Sequence, residues 1–373
     1  MDPIRVLIVD DSPFMRKALE RMLVAAEDIV VVGSARDGED ALVKIPELKP
    51  DIVTLDVEMP RMDGLTCLKH IMQRHPLPVL MVSSQTQDGA TATMEALASG
   101  ALDFIPKESS LASGAILQIQ QDLQEKVRKL SRSPRFARQR IQPTPPPAAA
   151  ASLGMPSVGG LAPRPMPVPA RPAAPSGTFA AGAMADLLTI GCSTGGPKAL
   201  QDLLPGLPAS LPVPCLIVQH MPATFTKAFA DRLDGLCQVK VKEAEHGEVL
   251  RAGTVYIAPG GIHMLYRNRG GQGVVELSPE PAASLHRPSV DVLFQSIVEQ
   301  APRQVLAMIL TGMGSDGARG MEQLKAKGAY TLGESEESCV VYGMPKAAFE
   351  RGCVDLQLPI HEMPAVLRRH FRI

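Results

Sequence analysis

A long interval rich in Pro, Ala, Gly and Ser, at residues 131–183, limits what this chain can fold into more than any other feature of its sequence. The interval contains few large apolar side chains. The surface that it could bury is therefore too small to offset the conformational entropy lost on ordering. We predict that it is an extended, mobile linker. Because one core cannot include such a segment, we expect two separate domains, at residues 1–130 and 184–373.

The charge of the linker differs from that of the two domains. The linker has six Arg and no Lys, Asp or Glu, whereas the whole chain of 373 residues has a net charge of −1, so the domains are acidic. The arginines could be interpreted as a nucleic-acid patch, but a solvated tether is the better interpretation. The acidic domains show no basic helix-turn-helix segment, and we expect no nucleic-acid partner.

The cysteines, the N-terminal residues and the apolar runs together indicate the cellular compartment of the protein. None of the six Cys belongs to a Cys-x-x-Cys pair, which argues against a zinc site and a disulfide framework and suits a reducing cytoplasm. The first residues lack a basic region followed by a long apolar region, so no signal peptide is expected. No apolar run approaches the ~20 residues that span a bilayer. We predict a cytoplasmic protein with no direct membrane insertion.

In the first domain, apolar segments alternate with segments of helical periodicity. The strand candidates are residues 4–10, 29–35, 51–56, 78–84 and 101–107. Strands that are apolar throughout and separated by helices imply a parallel sheet with both faces covered. We expect an α/β domain with a doubly wound, flavodoxin-like sheet.

Polar side chains stand at the ends of these strands. Asp10 and Asp11 follow the first strand and Asp56 ends the third, so three carboxylates would converge in one crevice of an open α/β sheet. Clustered carboxylates need a cation, and Mg²⁺ is the natural partner for oxygen ligands. Asp56 could then attack a phosphoryl group whose oxygens are held by Mg²⁺, Ser83 and Lys107. Any single Asp could be a turn former or helix cap, but the five residues together favour the site.

This spacing resembles the receiver domain of bacterial two-component response regulators, over most of the first domain. The resemblance implies phosphotransfer from a histidine kinase to Asp56, with Asp10 and Asp11 as further metal ligands. Such receivers often have Pro directly after the lysine, whereas here Pro106 precedes Lys107. We therefore carry over no cis peptide bond after Lys107 from the resemblance.

The second domain repeats the α/β pattern with different content. Its strand candidates are residues 187–191, 215–219, 305–311 and 329–333. Residues 255–278 instead contain strand-like segments joined by Gly-rich turns, which indicates an antiparallel hairpin. We expect a second doubly wound parallel sheet, Rossmann-like, with this hairpin as an excursion.

A Gly-x-Ser-x-Gly motif occupies residues 191–195, with Ser193 at its centre. It follows an apolar run and precedes a helical segment with Pro197 in the first turn, which is the context that a nucleophile elbow requires. Backbone N–H groups at the helix start could face a developing oxyanion. The motif alone is weak, because a similar turn could cradle a phosphate or be purely structural. Cys192 is a competing but less well-placed nucleophile.

A serine nucleophile needs a base and a residue that orients the base. His220 and Asp316 each lie past the end of an apolar strand, and with Ser193 they would meet on the carboxyl edge of one parallel sheet. The chain order Ser, His, Asp differs from the order in α/β-hydrolases. Five other histidines are alternative bases but are less well placed, because they are in loop, hairpin or helical contexts, namely His246, His263, His286, His361 and His370.

The second domain resembles the catalytic domain of the chemotaxis protein-glutamate methylesterases, through GCSTGGP, VQHMPATFT, YIAPGGIHM, RPSVDVLF, TGMGSDG and YGMPKAA. The resemblance implies a Ser193, His220 and Asp316 triad, with Thr194 and Met313 lining the reaction centre and no cofactor in the esterase site.

The family's activity is the removal of methyl groups from glutamate side chains of methyl-accepting chemoreceptors, releasing methanol, and in many members the deamidation of receptor glutamines. The resemblance thus implies chemoreceptors as substrates and a chemotaxis histidine kinase as phosphodonor. Domain order suggests that the unphosphorylated receiver obstructs the esterase and that phosphorylation relieves this. The alternative is a response regulator with a non-catalytic output module that binds an anion or a protein.

Overall fold

The computed structural model describes residues 2–107, 113–133, 136, 185–300, 302 and 304–373. Two parallel sheets lie on either side of the Pro-rich interval. Most of the predicted linker, residues 134, 135 and 137–183, is outside the described residues, so its predicted extension remains a prediction.

The first sheet has the strand order β2-β1-β3-β4-β5 and every pair is parallel. Its strands are β1 Ile4–Val9, β2 Ile29–Ala35, β3 Ile52–Asp56, β4 Val79–Ser84 and β5 Asp103–Lys107. The helices that cover it are α1 Pro13–Val24, α2 Gly38–Leu48, α3 Gly64–Arg74, α4 Gln87–Ala98 and α5 Ser113–Leu130. The predicted doubly wound sheet is confirmed.

Short polar side chains start the helices of the first domain. The Ser12 hydroxyl accepts a hydrogen bond from Met15 N at 3.3 Å, and Thr86 Oγ1 accepts one from Gly89 N at 3.0 Å. Such N-caps satisfy donors that the first helical turn leaves free. They also end the strand-to-helix loops quickly, which keeps the acidic strand ends at one edge of the sheet.

The second sheet has the order β14-β13-β12-β6-β7-β9-β8, again parallel throughout. Its strands are β6 Leu187–Cys192, β7 Cys215–Gln219, β8 Lys240–Glu243, β9 Thr254–Ile257, β12 Val305–Ile309, β13 Tyr330–Glu334 and β14 Leu356–Leu358. The helices are α6 Gly196–Leu203, α7 Ala223–Asp234, α8 Val290–Gln300, α9 Ala318–Ala326, α10 Met344–Glu350 and α11 Met363–Phe371.

The predicted antiparallel excursion is a hairpin of β10 His263–Arg269 and β11 Gln272–Ser278. The Gly270–Gly271 turn between them has positive φ at both glycines, as two-residue hairpin turns require. The hairpin is shorter than the segment assigned to it from the sequence. Its first part, β9, pairs in parallel with β7 and β8 and belongs to the main sheet.

The two domains pack against each other through α4, which lies against α6 and α7. The rings of Phe104 in β5 and Phe225 in α7 have their centroids 4.5 Å apart. An apolar cluster that contains Leu123 of α5 also includes Val340 and Val341 of the second domain. Within the described residues, no helix combines the length and apolar character needed to cross a membrane.

Candidate functional site

The first candidate site lies beyond the carboxyl ends of β1 and β3, where the strand order of the first sheet reverses. Oxygen atoms of Asp10, Asp11 and Asp56 lie within 4.8 Å of one another. Asp10 and Asp56 are almost fully buried, at 0% and 2% exposure. Lys107 Nζ lies 2.9 Å from Asp10 Oδ2 and 2.6 Å from Asp56 Oδ2. The structure thus brings together four of the five residues predicted for this site.

The electrostatics of this pocket favour binding of a cation. Burial raises the pKa of Asp56 to about 6, although the Lys107 ammonium acts in the opposite direction. Burial also opposes the charge on Lys107, but its hydrogen bonds to Asp56 and Asp10 outweigh this and raise its pKa. Three carboxylates face one ammonium, so the pocket has an excess of negative charge that a divalent cation would neutralise.

Ser83, the fifth predicted residue, is the second-to-last residue of β4 and is fully buried. Its hydroxyl is hydrogen-bonded to residues of α4, the helix that follows its strand. It lies 3.1 Å from Gly89 O and accepts a hydrogen bond from Thr93 Oγ1 at 2.6 Å. Contact between this hydroxyl and a phosphoryl group would require it to leave these partners on α4.

The second candidate site lies where the order of the second sheet reverses. Strand β6 has β7 on one side and β12 on the other, so the loops after these three strands meet at one crevice. Ser193 follows β6, His220 follows β7, and Asp316 is in the loop between β12 and α9. The structure brings together all three residues of the predicted triad.

The three side chains form one hydrogen-bonded chain. Ser193 Oγ lies 3.2 Å from His220 Nδ1, and His220 Nε2 lies 2.8 Å from Asp316 Oδ2. The imidazole therefore points its δ nitrogen at the serine and its ε nitrogen at the carboxylate. With the ring proton on Nε2, the lone pair of Nδ1 is available to accept the serine proton. Only about a tenth of the His220 and Asp316 side chains is exposed (10% and 13%).

Asp316 is held ionised by the start of α8. Its carboxylate accepts hydrogen bonds from Val290 N at 2.8 Å, Asp291 N at 2.9 Å and the Ser289 hydroxyl at 2.9 Å. Burial opposes ionisation, but His220 and these backbone donors outweigh it and hold the pKa of Asp316 far below its usual range. The N-terminus of a helix stabilises negative charge, so Asp316 stays an acceptor for the His220 N–H at neutral pH.

The turn that carries Ser193 is fixed from several sides. Gly195 has φ +79°, and a Cβ there would come within 2.4 Å of Val340 Cβ. Ser193 N donates to Thr311 O at 3.0 Å, and Gly196 N donates to Ser193 O at 2.7 Å. These contacts explain why the motif needs small residues and a left-handed glycine at this point.

Thr194 and Met313 are the residues predicted to line the reaction centre. Thr194 directly follows the nucleophile, and Met313 directly follows Gly312, which lies beside it. Thr194 is 3% exposed and begins the approach to α6. A Cβ on Gly312 would be 2.9 Å from Ser193 Cβ, so the segment leading to Met313 passes directly beside the serine.

Three further residues at this site were not predicted from the sequence. Gln219 Nε2 donates to Ser193 O at 3.0 Å and to His220 O at 2.9 Å, which ties the two loops together. Ser289 binds Asp316, as described above. The His286 ring is stacked on His220 with the centroids 4.1 Å apart. Gln219 is adjacent to His220 in sequence, which was an available signal, whereas the positions of Ser289 and His286 depend on loop geometry.

His286 is uncharged at neutral pH. Burial, together with the nearby His220, lowers its pKa to about 4. Of the other histidines considered, His263 is buried and its Nδ1 accepts a hydrogen bond from Ser289 N at 3.2 Å. His263 thus supports the loop behind Asp316 and does not touch Ser193.

Cys192 is not placed as a nucleophile. Its side chain is fully buried, and its thiol points towards Val218 O at 3.7 Å. Burial raises the pKa of the thiol well above its ordinary value, so thiolate is scarce.

Comparisons with known proteins match both domains. The family model for the response regulator receiver domain matches residues 6–115, and that for CheB methylesterase matches residues 188–367. A protein-glutamate methylesterase/protein-glutamine glutaminase of Oleidesulfovibrio alaskensis is 50% identical over 365 residues, which is 96% of this chain and 97% of that protein. One of Nitratidesulfovibrio vulgaris is also 50% identical, over 98% of both chains. The crystal structure of the Thermotoga maritima CheB methylesterase catalytic domain is 40% identical, covers 50% of this chain and 99% of that one, and has a TM-score of 0.49.

Proposed function

Since this chain belongs to the protein-glutamate methylesterase/protein-glutamine glutaminase family, we propose that Ser193, His220 and Asp316 carry out its hydrolysis of glutamate methyl esters and glutamine amides on chemoreceptors. The observation that carries the proposal is the unbroken hydrogen-bond chain from Ser193 Oγ through His220 to Asp316. It favours a hydrolase over an output domain that only binds.

The chemistry follows from the geometry of the chain. Ser193 Oγ attacks the side-chain carbonyl carbon as its proton moves to His220 Nδ1. Asp316 accepts the Nε2–H bond and stabilises the imidazolium. In this proposal, backbone N–H groups of Met313 and of the start of α6 stabilise the oxyanion. His220 then protonates the leaving group, which is methanol from an ester or ammonia from an amide. Water repeats the sequence on the acyl-enzyme, and Ser193 regains its proton from His220.

In the receiver domain, Asp56 accepts the phosphoryl group from a chemotaxis histidine kinase. The three oxygen ligands within 4.8 Å of one another and their excess negative charge fit Mg²⁺. Asp10, Asp11 and Asp56 would hold it, and it would supply charge neutralisation for phosphoryl transfer. Lys107 binds a phosphoryl oxygen, and Ser83 does so after leaving its partners on α4.

The interdomain contacts support regulation by obstruction. Met313 packs against the apolar cluster that joins the receiver to Val340 and Val341. The receiver therefore lies close to the proposed oxyanion donor. Phosphorylation of Asp56 adds about −1.5 to −2 charges in the pocket and biases the receiver towards a conformation that fits the esterase less well.

A cytoplasmic location follows from the same proposal, since the kinase and the modified side chains of chemoreceptors are in the cytoplasm. All six cysteines are free thiols, as is usual in a reducing compartment.

The test is methanol release from methylated chemoreceptor membranes by the phosphorylated chain. Ser193→Ala is expected to lower the rate by about 10⁴-fold or more, since a triad acts as a unit. Cys192→Ala is the matched control, because it changes the adjacent residue, and it should stay within about threefold of the native rate. Equal rates for Ser193→Ala and the native chain would remove Ser193 from the chemistry.

A further inference from the structure

A buried carboxylate that the proposed mechanism does not use lies beneath the nucleophile turn. Glu334 is the last residue of β13 and is 1% exposed. Its Oε2 accepts a hydrogen bond from Thr311 N at 2.8 Å, and its Oε1 accepts one from the Ser338 hydroxyl at 2.8 Å. Both oxygens therefore have partners, and neither partner is a cation.

Thr311 connects Glu334 to the nucleophile. Thr311 O accepts the hydrogen bond of Ser193 N at 3.0 Å. Thr311 Oγ1 donates to Thr194 O at 2.9 Å and accepts from Val341 N at 3.0 Å. One residue thus holds the turn on both sides of the reacting hydroxyl. It is also two residues before Met313, the proposed oxyanion donor.

The environment of Glu334 is unfavourable to a carboxylate. Burial raises its pKa to about 7, although hydrogen bonds from Thr311 and Ser338 act in the opposite direction. The negative charge of Asp202 adds to the rise. A buried carboxylate without an ion-pair partner costs free energy relative to an apolar residue of similar size. A carboxylate at this position therefore needs a reason other than stability, and its hydrogen bond to Thr311 N supplies one.

We propose that Glu334 is a positioning residue for the acyl-transfer site, which acts through Thr311 to fix the Ser193–Thr194 turn and the approach to Met313. The proposal rests on the proposed function of Ser193. Loss of the Glu334 acceptor leaves Thr311 N buried without a partner, and the segment from Thr311 to Met313 then shifts to find one. A displacement of about 1 Å at a reacting group can cost on the order of 100-fold in rate.

The experiment compares three variants of the full chain. Glu334→Leu removes the acceptor, whereas Glu334→Gln keeps it, because the amide oxygen can accept from Thr311 N and the amide nitrogen can donate to the Ser338 hydroxyl. Thr331→Val is the matched control, since Thr331 is fully buried on the same strand and its hydroxyl bonds to Asp355 Oδ2 at 2.8 Å. The substitution removes the Thr331 hydroxyl from Asp355 Oδ2 and Asp355 N, although Asp355 N keeps Thr331 O as a partner at 3.0 Å. It does not touch the nucleophile turn.

Two rates are measured for each phosphorylated variant, together with its Tm. One is the rate of Ser193 modification by a fluorophosphonate, and the other is methanol release with kcat and KM separated. We expect Glu334→Leu to lower kcat and the phosphonylation rate about 10- to 100-fold with KM within about twofold. Glu334→Gln should stay within about threefold of the native chain, and Thr331→Val should lose stability without losing kcat.

Two results would overturn the proposal. One is a folded Glu334→Leu with native kcat. The other is a fall in kcat that follows Tm equally in Glu334→Leu and Thr331→Val, which is what a purely structural role gives. If Glu334→Leu does not fold, Glu334→Asp takes its place in the comparison. The shorter side chain keeps the charge but should not reach Thr311 N. Native kcat in Glu334→Asp would also refute the proposal. The proposed function itself would be refuted by a different result, in which fluorophosphonate labels the native chain no more than it labels Ser193→Ala.

Discussion

At the scale of single residues, the proposed hydrolytic mechanism depends on which ring nitrogen of His220 carries the proton. The Nε2–H bond to Asp316 leaves Nδ1 facing Ser193. Asp316 can impose this tautomer because an ionised carboxylate accepts hydrogen bonds and cannot donate them. Three donors at the start of α8 keep Asp316 ionised. The charge state of one carboxylate therefore decides which ring nitrogen is basic.

Asp316→Asn is expected to lower kcat by about 10³- to 10⁴-fold, since an amide can donate to Nε2 and favour the wrong tautomer. The measurement is methanol release by the phosphorylated chain. Asp291→Asn is the control, because Asp291 also lies at the start of α8 but bonds Gly320 N at 2.7 Å. Its kcat should stay within about threefold, and an equal loss in both variants would mean that helix packing is responsible.

His286 should make folding stability depend on pH. Its pKa is about 4 in the folded chain, whereas an unfolded His has a pKa of about 6.5. Between these values the unfolded chain binds more protons, so the free energy of unfolding falls as pH falls from about 6.5 to 4.

Replacing His286 should remove this part of the pH dependence. His286→Phe keeps an aromatic ring against His220 but cannot titrate. Between pH 7.5 and pH 5 it should lose about 1 kcal/mol less stability than the native chain, after allowance for partial solvent screening. Urea unfolding at the two pH values measures the difference, and identical losses in both chains would contradict the assignment.

At the scale of elements, the link from β6 to α6 is the most constrained segment of the second domain. Gly195 combines positive φ with backbone packed against Val340, so a side chain there meets two obstacles. Gly247 also has positive φ (+81°), but a Cβ there would contact nothing within 4 Å. Substitution of Gly247 therefore tests the cost of positive φ alone, whereas substitution of Gly195 adds the cost of a steric clash.

Gly195→Ala should lower both stability and activity, and Gly247→Ala only stability. Positive φ costs a non-glycine residue about 1–3 kcal/mol, and this term is common to both variants. Displacement of the Ser193 turn is specific to Gly195→Ala and should lower kcat at least about tenfold. Thermal unfolding and methanol release measure the two effects. Native kcat in a folded Gly195→Ala would show that the turn can relax.

The elements that the sequence predicted are those with strong local signals. Strands β1, β3, β4, β6, β7, β12 and β13 are largely buried apolar runs, β2 and β5 are apolar but partly exposed, and the Gly-rich turn identified the hairpin. Strands β8 and β14 were missed because each is short, partly exposed and at an edge of the sheet. Strand β9 was assigned to the hairpin because its pairing with β7 depends on contacts distant in sequence.

The same distinction applies to the candidate sites. Strand ends could place Asp10, Asp56, Ser193 and His220 at two crevices, since the carboxyl ends of parallel strands share an edge. Sequence pattern could not place Gln219, His286 or Glu334 at the site. Each acts through one hydrogen bond or ring contact, and such contacts are fixed by loop conformations rather than by periodicity.

At the scale of the whole molecule, the interface between the domains includes α4 against α6 and α7, the ring pair Phe104 and Phe225, and the apolar cluster with Val340 and Val341. The centroid separation of 4.5 Å is within the range of favourable aromatic pairs. Loss of one ring should weaken the packing of the receiver on the second domain and so relieve the proposed obstruction in the unphosphorylated chain.

Phe104→Ala should therefore raise the activity of the unphosphorylated chain about 5- to 10-fold, which corresponds to a coupling free energy of about 1–1.4 kcal/mol. Methanol release without a phosphodonor is the measurement. Phe14→Ala removes an aromatic ring that is 71% exposed on α1, and it should leave basal activity unchanged. Unchanged basal activity in Phe104→Ala would mean that this ring pair does not hold the domains together.

The position of α4 has a consequence for the time course of the response. The helix holds the Ser83 hydroxyl through Gly89 and Thr93, and it also packs on α6, the helix that begins directly after the Ser193 turn. Helix α4 thus contacts both the proposed phosphorylation pocket, through Ser83, and the second domain, through α6. Motions of one packed helix take microseconds to milliseconds. The lag between a change in kinase activity and a change in receptor methylation should therefore be set by phosphotransfer and ester hydrolysis, and not by propagation of a signal through the protein.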